Sequence, residues 1–323
     1  MNVLVVGGAG YIGSHTVYEL LRAGNKVSVL DNLSTGERSF VPSNVPFYQG
    51  DITKKADVLK VLNDQKFDVV MHFAAKLIVP ESMVKPLEYY YNNVEGVRVL
   101  LEAMVETNVK NIVFSSTAAV YGEPEVGIVT EDSKKAPINP YGESKYACER
   151  LIHWASQAHG LNYVVFRYFN VAGADSSLEI GLKKQQLTHL IPVTIEAALG
   201  LRKELVIFGD DYETKDGTNI RDYIHVTDLA LAHVVGADYL MNGGKSDVFN
   251  LGSSKGYSNK EVVEAVSKIL PVPHRFGPRR AGDPAILTAD ASKAKRILGW
   301  ETKLTLDDII TSDLAYRNKI SKE

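Results

Sequence analysis

The chain has one cysteine in 323 residues, Cys148, so no disulfide can close within it and no cysteine-based zinc site is available. Its eight histidines are scattered, none at a metal-ligand spacing, and we expect no metal. Neither sign of charge dominates. A net charge of −3 gives nucleic acid or an anionic membrane nothing to hold by bulk electrostatics. No apolar run approaches the ~20 residues of a membrane span. The start, "MNVLVVGG", lacks a basic segment before its apolar run, which leads us to expect no secretory signal and a cytoplasmic location. Internal repeats and low-complexity tracts are missing as well. What remains is the composition of a soluble globular enzyme, 45% hydrophobic and 23% charged, long enough for one large domain and a smaller one.

Short apolar runs at 3–6, 26–30, 46–50, 68–73, 111–116 and 163–167 read as strands. Between most of them lie segments of helical period, such as Tyr11–Ala23, Ala56–Asn63, Tyr89–Glu106 and Tyr141–His159. Continuous Val/Ile/Leu strands separated by helices indicate a parallel sheet covered on both faces, a doubly wound α/β (Rossmann) fold. After about residue 170 the rhythm loosens into polar, turn-rich stretches, with a strong helix at 225–240 and a short strand at 247–252. We expect a dinucleotide-binding domain over 1–170, with returns near 225–252, and a smaller, interleaved C-terminal substrate domain over 171–323.

"VLVVGGAGYIGSH" sets Gly7, Gly10 and Gly13 between a buried strand and a helix. The first glycine permits a tight turn, the second lets a pyrophosphate approach the backbone, and the third lets helix and strand pack closely. The helix N-terminus then attracts phosphate through its free N–H groups and dipole. Asp31 closes the second strand, where a carboxylate accepts from the ribose hydroxyls and repels a 2′-phosphate, which favours NAD over NADP. Arg38, nearby, is the group that would favour NADP. Asp51, after the third strand, either holds the adenine amino group or caps the next helix.

In "NPYGESKYACER", Pro140 suits the first turn of a helix, and Tyr141 and Lys145 then share a face with Cys148 and Ile152. Taken alone, that is an amphipathic helix with a packed tyrosine and a solvated lysine. The surrounding motifs change the reading. The glycine spacing, "HFAA" at 72–75, "SSTAAVYG" at 115–122 and the Tyr141–Lys145 pair, in that order, resemble the extended short-chain dehydrogenase/reductase family. In the second half "RYFNVAGA" (167–174), "THLIP" (188–192), "FGDDYETKDGTNIRDYIHVTDLA" (208–230) and "RRAGDPA" (279–285) resemble the UDP-glucose 4-epimerase branch of that family.

The resemblance covers essentially the whole chain and implies residue roles. Tyr141 would be the general base and Lys145 its partner, the ammonium and the cofactor's positive ring pulling the phenol below its usual pKa near 10. Thr117 would hydrogen-bond the reacting sugar oxygen. The implied NAD contacts are Gly7, Gly10, Tyr11, Ile12, Gly13, Asp31, Asn32, Asp51, Ile52, Phe73, Ala74, Ala75, Asn92, Tyr141, Lys145 and Tyr168. The implied UDP-sugar contacts are Thr117, Tyr141, Asn170, His189, Leu190, Val206, Phe208, Arg221, Arg280, Asp283 and Leu287. The implied reaction is reversible C4 epimerisation of UDP-glucose and UDP-galactose through a transient 4-keto sugar and enzyme-bound NADH. The implied assembly is a homodimer joined through the helices 89–106 and 141–159. Alternative partners for Arg221 are Asp222 and Asp228.

Two departures stand out. The branch commonly has "HFAGLK", but here "HFAAKL" moves the lysine to 76 and puts Leu77 in its place. The usual Asn before "LMP" is His189. Sugar-nucleotide dehydratases and decarboxylases of the same fold place an acid within the stretch that is Thr117–Tyr121 here, where this chain has Ala118 and Ala119. A net dehydrogenase that releases NADH, and a non-catalytic NAD sensor, are the other readings. Sensors usually lack the Tyr–Lys pair.

Overall fold

A computed structural model describes residues 1–183, 187, 189–280 and 283–322. Thr188 of "THLIP" and Ala281 and Gly282 of "RRAGDPA" lie outside the described residues. The strands are β1 (Asn2–Val6), β2 (Lys26–Asp31), β3 (Phe47–Gln49), β4 (Val69–His72), β5 (Asn111–Ser115), β6 (Ile128–Val129), β7 (Asn162–Tyr168), β8 (Asn170–Ala172), β9 (Leu205–Phe208), β10 (Ile220–His225), β11 (Asp247–Leu251), β12 (Gly256–Ser258), β13 (His274–Gly277) and β14 (Ile286–Ala289). The helices are α1 (Tyr11–Arg22), α2 (Lys55–Asp64), α3 (Val79–Val84), α4 (Pro86–Tyr89), α5 (Gly96–Glu106), α6 (Pro140–His159), α7 (Leu190–Ala198), α8 (Val226–Met241), α9 (Asn259–Ser267), α10 (Ser292–Leu298) and α11 (Leu306–Ile320). The chain forms two compact units.

The first unit comprises Met1–Gly122, Lys135–Arg167 and Ala230–Phe249. Its seven-stranded sheet runs β11-β7-β5-β4-β1-β2-β3, and each pairing from β3 to β7 is parallel. Leu4, Val70, Ile112, Phe114 and Val165 point into one core with Leu100, Met104 and Ile152 of the covering helices. Burial on both faces is why these strands read as unbroken apolar runs. Between β1 and β4 the strand order reverses, the place where open α/β sheets take ligands at their carboxyl ends. Gly7 and Phe73 follow those two ends.

The second unit comprises Glu123–Lys134, Tyr168–Leu229 and Asn250–Glu323. One sheet orders β12-β10-β14-β6 with β8 also on β10, and β13 pairs with β9 in parallel. Ile191, Ile195, Leu205, Ile207, Val262, Val266 and Ile309 form its core. Helices α9 and α11 open with reciprocal caps, Ser258 with Glu261 and Thr305 with Asp308.

Candidate active site

In the first unit Gly7 sits at φ +81°, and a Cβ there would lie 2.5 Å from the Ala74 nitrogen. A Cβ on Gly13 would lie 2.2 Å from the Gly7 oxygen. Loop and helix therefore pack backbone on backbone, which only glycine allows. Helix α1 starts with no side-chain cap and no acid in its first turn. Its N-terminal dipole thus faces whatever anion binds there, uncancelled.

Asp31 ends β2 and ties this loop down, accepting from Ala9 N at 3.0 Å and Leu33 N at 2.8 Å. Burial raises its carboxyl pKa and the two N–H bonds oppose the rise. Each oxygen retains a second acceptor site. Arg38 lies 4.5 Å over the Phe47 ring and donates to Val41 O at 2.9 Å. Asp51 does not cap α2, whose N-cap is Lys54, but holds the turn before it. Its Oδ1 accepts from Thr53 N and Oγ1, closing the turn ahead of α2, and Asn32 reaches Oδ2 at 3.4 Å. Ile52 is buried in the core and fills the space beside Gly96. Tyr11 packs edge-on against His15.

Helix α6 begins as its sequence demands, with Asn139 accepting from Gly142 N and Pro140 in the first turn. The Thr117 hydroxyl lies close enough to the Tyr141 phenol to favour its ionised form. Thr117 caps the 3₁₀ turn that follows β5, accepting from Ala119 N at 3.2 Å. The expected fall of the Tyr141 pKa is absent from the chain itself. Burial pushes the phenol above its usual value, and the Thr117 hydroxyl only partly offsets this. Any net lowering must come from added positive charge. Lys145 is 3% exposed, with its ammonium 4.4 Å over the Phe114 ring. Burial depresses its pKa to about 8, and Cys148 and Glu149 act against that depression. His72, the β4 partner of Phe114, is buried with both ring nitrogens unpartnered, and desolvation and the Lys145 charge hold it neutral, near pKa 3.

The segment read as one helix from Tyr89 to Glu106 is interrupted by a π-helical turn at Tyr90–Glu95. Such turns are frequent at functional sites. Asn93 in that turn accepts from Lys76 N, donates to Lys76 O and Ser144 Oγ, and takes the Cys148 thiol on its carbonyl. Asn92 donates to the Asn93 side chain at 2.9 Å and is half-buried. Lys76 is spent on Glu88, at 2.6 Å, while Leu77 is exposed. Phe73 N and Ala74 N donate to Val6 O, which lays this stretch alongside Gly7. Tyr168 closes β7.

In the second unit Arg221 pairs with Asp283 and donates to Pro284 O at 2.7 Å. Neither Asp222 nor Asp228 is its partner. Asp222 accepts from Ser253, Ser254 and Ala289, and Asp228 from Lys303 and Leu304. Leu287 sits beside Arg221 in register on β14. Asn170 donates to Asp222 O on the neighbouring strand. Arg280 lies 3.9 Å over the Phe208 ring, and Val206 is two residues earlier on β9. His189 and Leu190 start α7 without a side-chain cap. The sequence-derived UDP-sugar residues of this unit thus form an Arg221–Asp283–Leu287 group and a Phe208–Arg280 stack.

Residues 3–252 match the model of the NAD dependent epimerase/dehydratase family. The chain belongs to that family. Its curated relatives include the UDP-glucose 4-epimerase of Lactobacillus helveticus, 52% identical over 97% of this chain and 96% of that one. Among solved structures, the UDP-glucose 4-epimerase of Brucella ovis in complex with NAD is 44% identical, with a TM-score of 0.95 over 98% of each chain. That of Bifidobacterium longum in complex with NAD+ and UDP is 40% identical, with a TM-score of 0.92 over 99% of this chain and 98% of that one.

The family's cofactor, NAD, fits the first unit. The glycine loop leaves no room for side chains, α1 offers an uncapped N-terminus, and Asp31 keeps acceptors free at the end of β2. Sequence reading missed three features of the site. Gly142, taken as a tolerable helix glycine, is required: a Cβ there would lie 2.6 Å from Ala119 O. Asn93, which ties Lys76, Ser144 and Cys148 together, was not among the expected site residues. The buried ion pair of Glu149 with Arg167 was not foreseen at all.

Proposed function

We propose that the protein is a UDP-glucose 4-epimerase that interconverts UDP-glucose and UDP-galactose, with Tyr141, Lys145 and Thr117 as its catalytic groups. The observation that carries this is the Tyr141 phenol beside the Thr117 hydroxyl, with the buried Lys145 one helical turn further along α6, in the same unit as the glycine loop. The glycine loop and Asp31 would hold NAD, which would supply the acceptor, and then the donor, of the hydride of sugar C4. Tyr141 Oη accepts the 4-hydroxyl proton on oxidation and gives it back on reduction. Lys145 stabilises the phenolate, and Thr117 Oγ1 holds the sugar oxygen in line. The stretch 117–121 carries no acid, so a dehydration has no second proton donor there.

The second unit is the nucleotide-sugar unit in this reading. Arg221 and Arg280 suit a diphosphate, because a guanidinium presents paired donors. Asn170, His189, Leu190, Val206, Phe208 and Asp283 complete the grip on the uridine diphosphate, and Leu287 bounds the sugar. A firm hold on the nucleotide leaves the 4-keto sugar free to turn over. We further propose a cytoplasmic enzyme of galactose metabolism that works as a homodimer. Met83, Val84, Leu87, Tyr91 and Trp154 leave apolar surface exposed on the first unit's helices, which suits a second copy.

The test is NMR of UDP-galactose incubated with protein purified without added NAD and with no oxidant. The expected result is UDP-glucose, with no free NADH accumulating. Free NADH produced in proportion to product would make the protein a dehydrogenase instead.

A further inference from the structure

Beneath Tyr141 and Lys145 lies a group of charges that the reaction does not use directly. Glu149 is one turn beyond Lys145 on α6 and is buried. Its Oε1 accepts from Ser116 Oγ at 2.5 Å and from Arg167 Nε at 3.0 Å, and its Oε2 pairs with an Arg167 terminal nitrogen at 2.6 Å. Arg167, 4% exposed, donates also to Tyr121 Oη at 3.0 Å. Ser116 N is fixed in turn by Phe166 O at 2.7 Å. One carboxylate therefore joins three elements: the end of β5 that leads into Thr117, the strand β7, and the helix that carries Tyr141 and Lys145.

We propose that Glu149 is a positioning residue, whose carboxylate locks the Thr117 and Tyr141–Lys145 elements together and supplies the counter-charge that keeps Lys145 an ammonium. This rests on the reading of Tyr141 and Lys145 as catalytic. The charged and titratable groups around Lys145 are His72 on β4, Tyr141, Cys148 and Glu149 on α6, Tyr121 after β5 and Arg167 on β7. Burial holds His72 neutral and Cys148 a thiol. That leaves Glu149 as the carboxylate that attracts the Lys145 ammonium. The same carboxylate neutralises Arg167, so removing it would leave both buried cations without their counter-charge. A buried pair broken on one side is far more damaging than one removed whole.

The experiment compares Glu149→Gln, Glu149→Gln/Arg167→Met and Ser116→Ala with the parent enzyme and with Tyr141→Phe. Carbon-13-labelled lysine spectra follow the Lys145 ionisation directly, with Lys145→Met identifying the signal. In Glu149→Gln the Lys145 titration and the alkaline limb of the kcat profile should both move down by about one unit, so that at pH 8 kcat falls about fivefold, with KM for UDP-glucose within about twofold. The double variant should recover part of that shift, because the opposing charge is gone too, and it keeps the test alive if the single variant does not fold. Ser116→Ala, which keeps both charges, should lower kcat with little change in the Lys145 titration. A Lys145 titration and kcat profile that superimpose on the parent's in the folded Glu149 variants would overturn the proposal. If Tyr141→Phe retains activity, the reading of the catalytic pair fails instead, and the lysine spectra still decide the role of Glu149.

Discussion

Lys145 should cost the protein stability, and replacing it with methionine should show by how much. The side chain is 3% exposed, and its pKa lies at about 8 where a free lysine's is 10.5. At ~1.4 kcal/mol per unit, that depression amounts to about 3 kcal/mol of unfavourable charge burial. The Phe114 ring beneath the ammonium returns about 1–2 kcal/mol. A net penalty of about 1–2 kcal/mol remains. Its pH dependence has a fixed sign. Below pH 8 both folded and unfolded chains hold the proton, and the penalty is present in full. Between 8 and 10.5 the unfolded chain still binds the proton and the folded one does not, so stability rises with pH and the penalty fades. Methionine matches the length of the lysine stem and packs well on an aromatic ring. Lys145→Met should therefore unfold at higher denaturant at pH 7, by about 1–2 kcal/mol or a few degrees in Tm, and should lose this advantage near pH 10. Denaturant melts of the two proteins, stripped of nucleotide, at both pH values make the comparison. A variant no more stable than the parent at pH 7, or one whose gain persists unchanged at pH 10, would refute the reasoning. Catalysis should move the opposite way, as expected where a site keeps a strained group for its chemistry.

Gly142→Ala should run against helix propensity. Alanine normally gains about 1 kcal/mol over glycine inside a helix, but here its Cβ would meet Ala119 O at 2.6 Å and Pro137 Cβ at 3.1 Å. A loss of about 1–3 kcal/mol and a drop in kcat are expected, read by Tm and turnover; a stabler, fully active variant would show that α6 does not press on the Thr117 turn. Leu287, half-buried beside Arg221, should give partial selectivity against N-acetylated UDP-sugars, since apolar pockets discriminate by only about 1–3 kcal/mol per methylene. Leu287→Tyr should lower, and Leu287→Cys raise, the ratio of N-acetyl to plain sugar activity, and an unchanged ratio in both would remove Leu287 from the sugar pocket.

The parts legible in sequence were those fixed by local rules. Five buried strands of the first sheet, the glycine loop and the start of α6 at Pro140 all follow from period, turn chemistry and capping. What escaped depends on partners distant in sequence. Strand β6 is two residues long and exists because it pairs with β14 across the chain. The Arg221 partner lay among the wrong acids because Asp283 is brought close only when β14 aligns beside β10. The direction of the Tyr141 pKa in the chain alone is set by burial, which no motif reports. Gly142 looked dispensable because the object it makes room for, the Ala119 carbonyl, sits on another element.

The strand order also bears on how this chain leaves the ribosome. Strand β11 and most of α8 belong to the first unit, yet they are encoded some distance after β7, their neighbour in the sheet. His233 of α8 packs on Phe166 and Phe73, and a Cβ on Gly236 would collide with the Phe166 ring, so the helix lies directly on strands made much earlier. Until residues 230–249 emerge, β7 is a bare edge with an uncovered apolar face. At ordinary elongation speeds that interval is on the order of 10 s. During it the nascent chain presents an unpaired strand edge, the kind of surface that draws other chains into sheet pairing. Translation pauses before residues 230–249 have left the ribosome should therefore favour aggregation, whereas later pauses should be harmless to the first unit.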